Sequence, residues 1–444
     1  MDKPSRGQVG KVAFAGVVGT TIEWYDFFIS GTAAGVAWPL VFFPKEDPNS
    51  ALLLSVITFG IGFITRPVGA FLFGHFGDKI GRKSTLIWTL VTMGLGTLLI
   101  GLTPPYTPTG IWGFGIGIWG GVLVAIFRLV QGLGVGGEWG GASTWVTEFA
   151  ANSKYRAFWA SWVQQGVPIG LVFANGLYFY LTNLLTLNGK LTASFYDWGW
   201  RIPFFIGAIV VIVGVIIRYK LLESPIFSQI LQRREIERVP MGSLLKNQWV
   251  TVLLCAIGWW YVNAMFYIIT AFSQGYIKLV NPTMPGYVGP FSITIAGIVS
   301  VFVTILGSLA ADKFGRRIVI VASAIGSGIL ALPYVYMLTI NSPYVIYLAQ
   351  TMELSVVLFG YSVLSAFFSE QFPAKYRYTG SGFSYHIAAP FSGGLAPILA
   401  GSFTVTYGSI GAAPYIAILG IAYCLTSAIA VALTKETLKK EISY

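Results

Sequence analysis

Charge is scarce in this chain. Of its 444 residues, 10% are Asp, Glu, Lys or Arg, against about 25% in a soluble globular protein. So little charge excludes an ordinary water-exposed fold. Cysteine is nearly missing as well: Cys255 and Cys424 both fall in apolar stretches, which excludes a disulfide framework and a thiolate metal site. There are two histidines, and no paired His or Asp motif sits at a membrane face as an integral membrane enzyme would need. A nucleotide-binding loop is lacking too, because "GLGVGG" lies in the middle of an apolar run with no strand before it. No metal or cofactor is therefore expected. Acidic residues number 17 against 28 basic ones, for a net charge of +11. The excess is spread over short loops instead of forming one patch, so nucleic acid is not the expected partner.

What the chain has is apolar length: 55% of residues are hydrophobic and the mean hydropathy is +0.71. About 20 apolar residues cross a bilayer as a helix. Twelve such runs are legible, over residues 12–38, 52–74, 84–103, 118–147, 157–182, 202–219, 249–276, 288–311, 318–338, 344–368, 379–405 and 412–434. The first is too long and too acidic for a cleaved signal peptide, so it is expected to remain. Positive charge marks the cytoplasmic side. The two termini and the even-numbered loops hold 22 of the 28 Lys and Arg, while the other face holds Lys45, Lys190, Arg201 and Lys278. Arg66 and Arg128 lie within spans. Both termini are thus expected inside, in a multi-pass protein of a prokaryote-like cell membrane.

The chain also repeats. "GHFGDKIGRK" after span 2 matches "SLAADKFGRR" after span 8, both carrying Asp-Lys-x-Gly-Arg-basic. "TEFAANSKYRA" after span 4 matches "SEQFPAKYRYT" after span 10, and "LLESP" after span 6 matches "TKETL" after span 12. The acids Asp78/Asp312, Glu148/Glu370 and Glu223/Glu436 recur at offsets of 234, 222 and 213 residues. Two copies of a six-helix unit follow: an N-terminal bundle over 1–220, a connector over 221–248 and a C-terminal bundle over 249–444.

With these motifs the chain resembles the major facilitator superfamily over nearly its whole length, although Ser308 stands where the loop signature has Gly. "EWYDFF" in span 1, "RPVGAFLFGHFGD" in span 2 and "RLVQGLGVGGEWGGA" in span 4 resemble the metabolite:proton symporters. That group includes carriers of proline, betaine, citrate, 2-oxoglutarate and shikimate. The resemblance implies an all-α integral membrane protein of twelve transmembrane helices in two pseudo-symmetric six-helix bundles, rocking about a central site. It implies no resident cofactor beyond the coupling proton, and function as a monomer in the lipid bilayer. In this fold the loop charges are expected to brace the bundles and part when the site opens: Asp78 with Arg82, Glu148 with Arg156, Glu370 with Arg377, and Asp312 with Arg316. The alternative is that they only fix topology.

The ionisable residues within spans are Glu23, Asp26, Arg66, Arg128, Glu138 and Glu353. Each costs about 2.5 to 3.5 kcal/mol on insertion scales and needs a cavity or a partner. Glu23 and Asp26 are three apart and share a helix face. Asp26 and Arg128 are expected to pair, and the resemblance makes the pair a proton switch; a fixed ion pair and no contact are the alternatives. Glu23 is either a second proton site or a helix clamp. Arg66 receives a substrate carboxylate or partners Asp26 or Glu138, and Glu138 itself reads as structural or gating. Glu353 is either a polar contact of the C-terminal half or part of a buried pair. The resemblance places spans 1, 4, 7 and 10 along the path. Candidates for substrate contact are therefore Tyr25, Arg66, Arg128, Gln131, Gln164, Gln165, Trp260, Tyr261, Asn263, Tyr267, Tyr385 and His386. Aromatic runs also form lipid belts, and a lone His in an apolar helix is often only hydrogen-bonded structure. The stripe Gly132, Gly136, Gly140 and its companion Gly166, Gly170 read as surfaces where backbones approach; Pro390 and Pro397 bend span 11.

The expected function is proton-coupled uptake of a small-molecule substrate. Two buried arginines favour an organic carboxylate. The aromatic face of Trp259, Trp260 and Tyr261 would suit a quaternary ammonium such as betaine, and sugar or drug transport is a further alternative.

Overall fold

The computed structural model describes residues 6–80, 82–137, 139–151, 153–188, 190–220, 240–373 and 377–440. Long apolar helices account for most of it: α1 (Val12–Val36), α2 (Pro48–Phe73), the shorter α3 (Ile87–Gly101), α4 (Trp119–Phe149), α5 (Arg156–Leu184) and α6 (Gly199–Ile216) in the first half. In the second half stand α7 (Leu244–Val280), α8 (Val288–Phe314), α9 (Arg316–Leu338), α10 (Pro343–Gln371), α11 (Thr379–Tyr407) and α12 (Ala413–Ala432). Among the described residues, all but α3, eleven helices, are long and apolar enough to cross a membrane. Helices suit that setting because every backbone N–H and C=O finds its partner within the segment. The connector expected over 221–248 lies outside the described residues as far as 239; from Pro240 the chain is helical, with a kink at Gln248.

The repeat governs how the halves meet. They pack together along α5 with α8 and along α2 with α11. Exchanging the two copies turns α2 into α8 and α11 into α5, so these two seams are images of each other. Gly315, at φ 109°, turns the chain from α8 into α9; it is the glycine of the second Asp-Lys-x-Gly-Arg motif, at a backbone angle that side chains disfavour.

The glycine stripe of α4 meets α2 backbone to backbone. A Cβ on Gly132 would lie 1.9 Å from the Gly62 oxygen, and one on Gly136 would lie 2.2 Å from the Arg66 oxygen. Gly140 instead faces Gly382 of α11. Gly166 and Gly170 are not companions of that stripe: both press against α1, at Thr20 and Tyr25.

Several helices are interrupted near mid-length. Regular α-helix in α2 gives way to a 3-10 turn at Ile61–Phe63, and α7 breaks at Trp259 before a π-turn at Ile268–Phe272. A second π-turn, Pro390–Gly394, produces the irregularity that the prolines of α11 foretold. Such breaks leave backbone groups and side chains turned inward, and π-turns recur at functional sites.

Candidate functional site

Asp26 and Arg128 are both fully buried, as expected, but they do not pair directly. Gln131 stands between them. The Arg128 Nη1 donates to Gln131 Oε1, one turn along α4. Gln131 Nε2 in turn donates to Asp26 Oδ2 at 2.9 Å and to Thr97 Oγ1 at 2.8 Å. The remaining Arg128 donors, Nε and Nη2, go to the Phe59 carbonyl at 3.2 and 3.0 Å. Phe59 lies in the last turn before the break in α2, where carbonyls lose their helical partners. The sequence correctly brings α1 and α4 together here. It missed the bridge because i,i+3 spacing puts Gln131 on the Arg128 face and leaves open whether its amide turns to substrate or to Asp26.

Arg66, on α2, is placed differently. It is fully buried, lies within reach of the Tyr267 hydroxyl, and among the described residues its three guanidinium nitrogens make no hydrogen bond of regular geometry. Aromatic faces surround it: the guanidinium carbon is 4.2 Å from the centre of Phe27, 4.5 Å from Phe63 and 5.9 Å from Trp24. Arg128 lies 4.5 Å from the same Phe27 ring, so one ring of α1 stands against two cations. Cation–π contact offsets part of the desolvation, while among the described residues no carboxylate or carbonyl meets its N–H donors. Arg66 has the chemistry of an anion receptor. The Tyr267 hydroxyl and both ring nitrogens of His386 are likewise buried without a hydrogen bond of regular geometry.

Beside this group lies a small cavity lined by Trp24, Trp259, Asn263, Tyr267, Tyr361 and Tyr385 among others. Of the expected contacts, Asn263, Tyr267 and Tyr385 line it. Several do not. Tyr25 donates from its hydroxyl to the Pro203 carbonyl, clamping α1 to α6. Tyr261 donates to Ser323 within the C-terminal half, and Gln165 donates to the Val301 carbonyl across the α5–α8 seam. Gln164 donates to the Tyr361 carbonyl and accepts from the Trp139 indole, bracing the cavity wall without lining it. Trp260 packs against Tyr423, and its neighbour Trp259 takes the cavity position because α7 breaks at that residue. Trp139, which the sequence reading passed over, stacks on Tyr385 at 3.8 Å, and Trp259 stacks on the same tyrosine at 4.0 Å. That pile of three rings joins the halves at the cavity wall. Glu23 is buried on α1. Glu138 lies outside the described residues.

Contacts cross between the halves on both faces of the molecule. On the charged face the expected ion pairs exchange partners. Glu370 takes Arg156 of the other half at 2.5 Å, in addition to Arg316 at 3.2 Å, and Arg377 takes Glu148 at 3.0 Å. The expected pairs Glu148–Arg156 and Glu370–Arg377 are therefore corrected to pairs that cross between halves; repeat matching finds the residues but not which copy each one faces. Asp312 holds Arg316 as expected, at 3.1 Å, and its carboxylate also accepts the Ala157 and Phe158 N–H groups at the start of α5. The side chains of Asp78 and Arg82 lie outside the described residues. Glu436, visible in the sequence only as a repeat partner, accepts backbone N–H bonds from Arg316, Arg317, Thr437 and Leu438. Partial burial pushes this carboxyl up, but the N–H donors outweigh it and hold it below the usual range. The segment after α12 thus straps onto the gate, where Thr437 also donates to Glu370. The contacts of the opposite face carry no charge: Gln274 of α7 donates to Thr32 of α1 at 3.3 Å and to Asn175 of α5 at 3.2 Å.

Comparison with known proteins agrees with this architecture. The sugar (and other) transporter family matches residues 12–239. The inner membrane metabolite transport protein YhjE of Escherichia coli (strain K12) is 38% identical, covering 96% of this chain and 94% of its own. The shikimate transporter of that strain is 32% identical over 98% of this chain and 96% of its own, and its proline/betaine transporter 32% over 89% and 77%. Among solved structures, the xylose transporter XylE from E. coli, in a partially occluded inward-open conformation, superposes with a TM-score of 0.71 at 17% identity, over 97% of this chain and 99% of that one.

Proposed function

The chain belongs to the sugar (and other) transporter family of the major facilitator superfamily, and on that premise we propose that it is a symporter coupling proton entry to uptake of a small organic anion. It is a multi-pass membrane protein and not an enzyme. In this reading α3 completes a set of twelve spans, the charged face is cytoplasmic, and one copy suffices for alternating access.

The observation that carries the anion is Arg66. A buried guanidinium that meets no carboxylate or carbonyl among the described residues is costly, and a carboxylate arriving beside Phe27 and Tyr267 would satisfy two of its donors at once. The relative that carries shikimate supports that choice. The proton belongs to Asp26. Ionised, it holds the Gln131 amide, which holds Arg128; protonated, it loosens that chain, and Arg128 is freed from one of its two ties. A ligand or proton shifts such an equilibrium only through different contacts in its two states, and the bridge supplies that difference. The aromatic wall of Trp24, Trp259 and Tyr385 favours a second reading, a zwitterionic osmolyte with its carboxylate on Arg66 and its cation on the rings. The relative named for proline and betaine supports this alternative.

Uptake into liposomes under an imposed pH gradient, screening carboxylates and betaines, tests both readings. Asp26→Asn is expected to abolish uphill accumulation while substrate counterflow persists. Accumulation by Asp26→Asn that still follows the pH gradient would remove Asp26 from the mechanism.

A further inference from the structure

The C-terminal half contains a buried acid that the mechanism above does not use. Glu353, near the middle of α10, is fully buried. Ser327 of α9 donates to its Oε1, and the Cys424 thiol of α12 lies 3.5 Å from the Ser327 hydroxyl, within donating distance. Its Oε2 has no hydrogen-bond partner. Tyr334 of α9 and Cys424 of α12 are the titratable side chains within electrostatic reach. Among the described residues no charged group faces it from α7, α8, α9 or α12.

Neither form of this carboxyl is fully satisfied. A carboxylate here would have one hydroxyl donor and no cation to offset its loss of water. The neutral acid avoids that penalty, and its own O–H would then need an acceptor, which Oε2 lacks. A static structural acid would be expected to have both oxygens bonded, so the unpaired one points to another arrangement in which it is met. Hydrogen bonds link these surroundings to the irregular turn of α7. One turn before Glu353, Gln350 accepts from Tyr334 at 3.1 Å and donates to Ser273 at 2.6 Å. Ser273 donates to the Ile269 carbonyl inside the π-turn of α7. The same α10 supplies Tyr361 to the cavity and Glu370 to the gate, with a break in regular helix at Ser362 between them.

We propose that Glu353 is a second proton-binding carboxyl of the transport cycle, neutral while both faces are closed and giving its proton to water when the C-terminal half rearranges. The proton returns from water as the half closes, so nothing is oxidised and no bond forms but O–H. The proposal rests on the alternating-access reading above and places proton binding in both halves, Asp26 in the first and Glu353 in the second.

Infrared spectroscopy of the full chain in phosphatidylethanolamine/phosphatidylglycerol vesicles tests it without a substrate. A protonated-carboxyl band is expected that Glu353→Gln removes and that Ser327→Ala, which leaves the acid in place, shifts. Opening the charged face with the double substitution Glu370→Gln, Arg377→Gln, with opening verified by thiol labelling of a Ser143→Cys background, is expected to remove the same band. A Glu353 band that stays unchanged when the face opens means a static acid and overturns the proposal; so does the absence of any band sensitive to Glu353→Gln. The Asp26 band is identified separately by Asp26→Asn, so the two carboxyls fail or hold independently.

Discussion

Two arginines, both buried on one phenylalanine, play different parts because of what else each touches. Arg128 is tied to Phe59 and Gln131, so it reports on Asp26; Arg66 has no such tie and is left to meet a ligand. Charged hydrogen bonds contribute about 1.5–3 kcal/mol each, and lysine cannot reproduce the planar fork. Arg66→Lys is therefore expected to weaken the apparent affinity for the transported carboxylate by about 10- to 100-fold, with the pH dependence of uptake retained. The measurement is the concentration dependence of liposome uptake. An unchanged affinity would move the anion site elsewhere. The sequence made both arginines conspicuous, since a charge in a span has few reasons to exist. It could not divide their roles, because the division depends on a carbonyl of α2 and an amide of α4.

At the level of elements, the close crossing of α2 and α4 is what sets Arg66, Arg128 and Phe59 within reach of one another. A methyl group on Gly132 would sit 1.9 Å from the Gly62 oxygen, an atom of the backbone that cannot swing aside. Replacing Gly by Ala within a helix gains about 0.5–1 kcal/mol, whereas overpacking costs about 1–3 kcal/mol or more, so the clash wins. Gly132→Ala is expected to lower the thermal midpoint of the purified protein and to impair uptake. Gly176→Ala, whose nearest atom would be 3.8 Å away, is expected to leave both unchanged or slightly raise the midpoint. Equal midpoints for the two variants would contradict the backbone contact. The stripe was visible as spacing, and its partner was not: Gly132 and Gly136 face α2, Gly140 faces α11, and Gly166 faces α1.

At the scale of the whole molecule, the contacts between halves named among the described residues are ionic on one face and uncharged on the other. Glu370 joins Arg156 of the first half to Arg316 of the second, all three side chains almost wholly buried. Removing one member of a buried ion pair typically costs about 3–5 kcal/mol. That cost falls on the closed state, where the arginines would be left facing each other. Glu370→Gln is expected to open the charged face, read as faster labelling of a cysteine placed at Ser143, which now bonds Ser365 of the other half. Unaltered labelling would mean that the uncharged packing alone holds that face shut.

The order of apolar runs, the duplication, the charged loops and the intramembrane acids were all determined by the sequence, since hydrophobic length, repetition and the expense of buried charge are local properties. Which arginine met which acid, that Gln131 would stand between Asp26 and Arg128, and that Trp259 and not Trp260 would face the cavity were decided only in three dimensions. Each depends on how one helix face is turned toward its neighbours, and no spacing along the chain encodes that rotation.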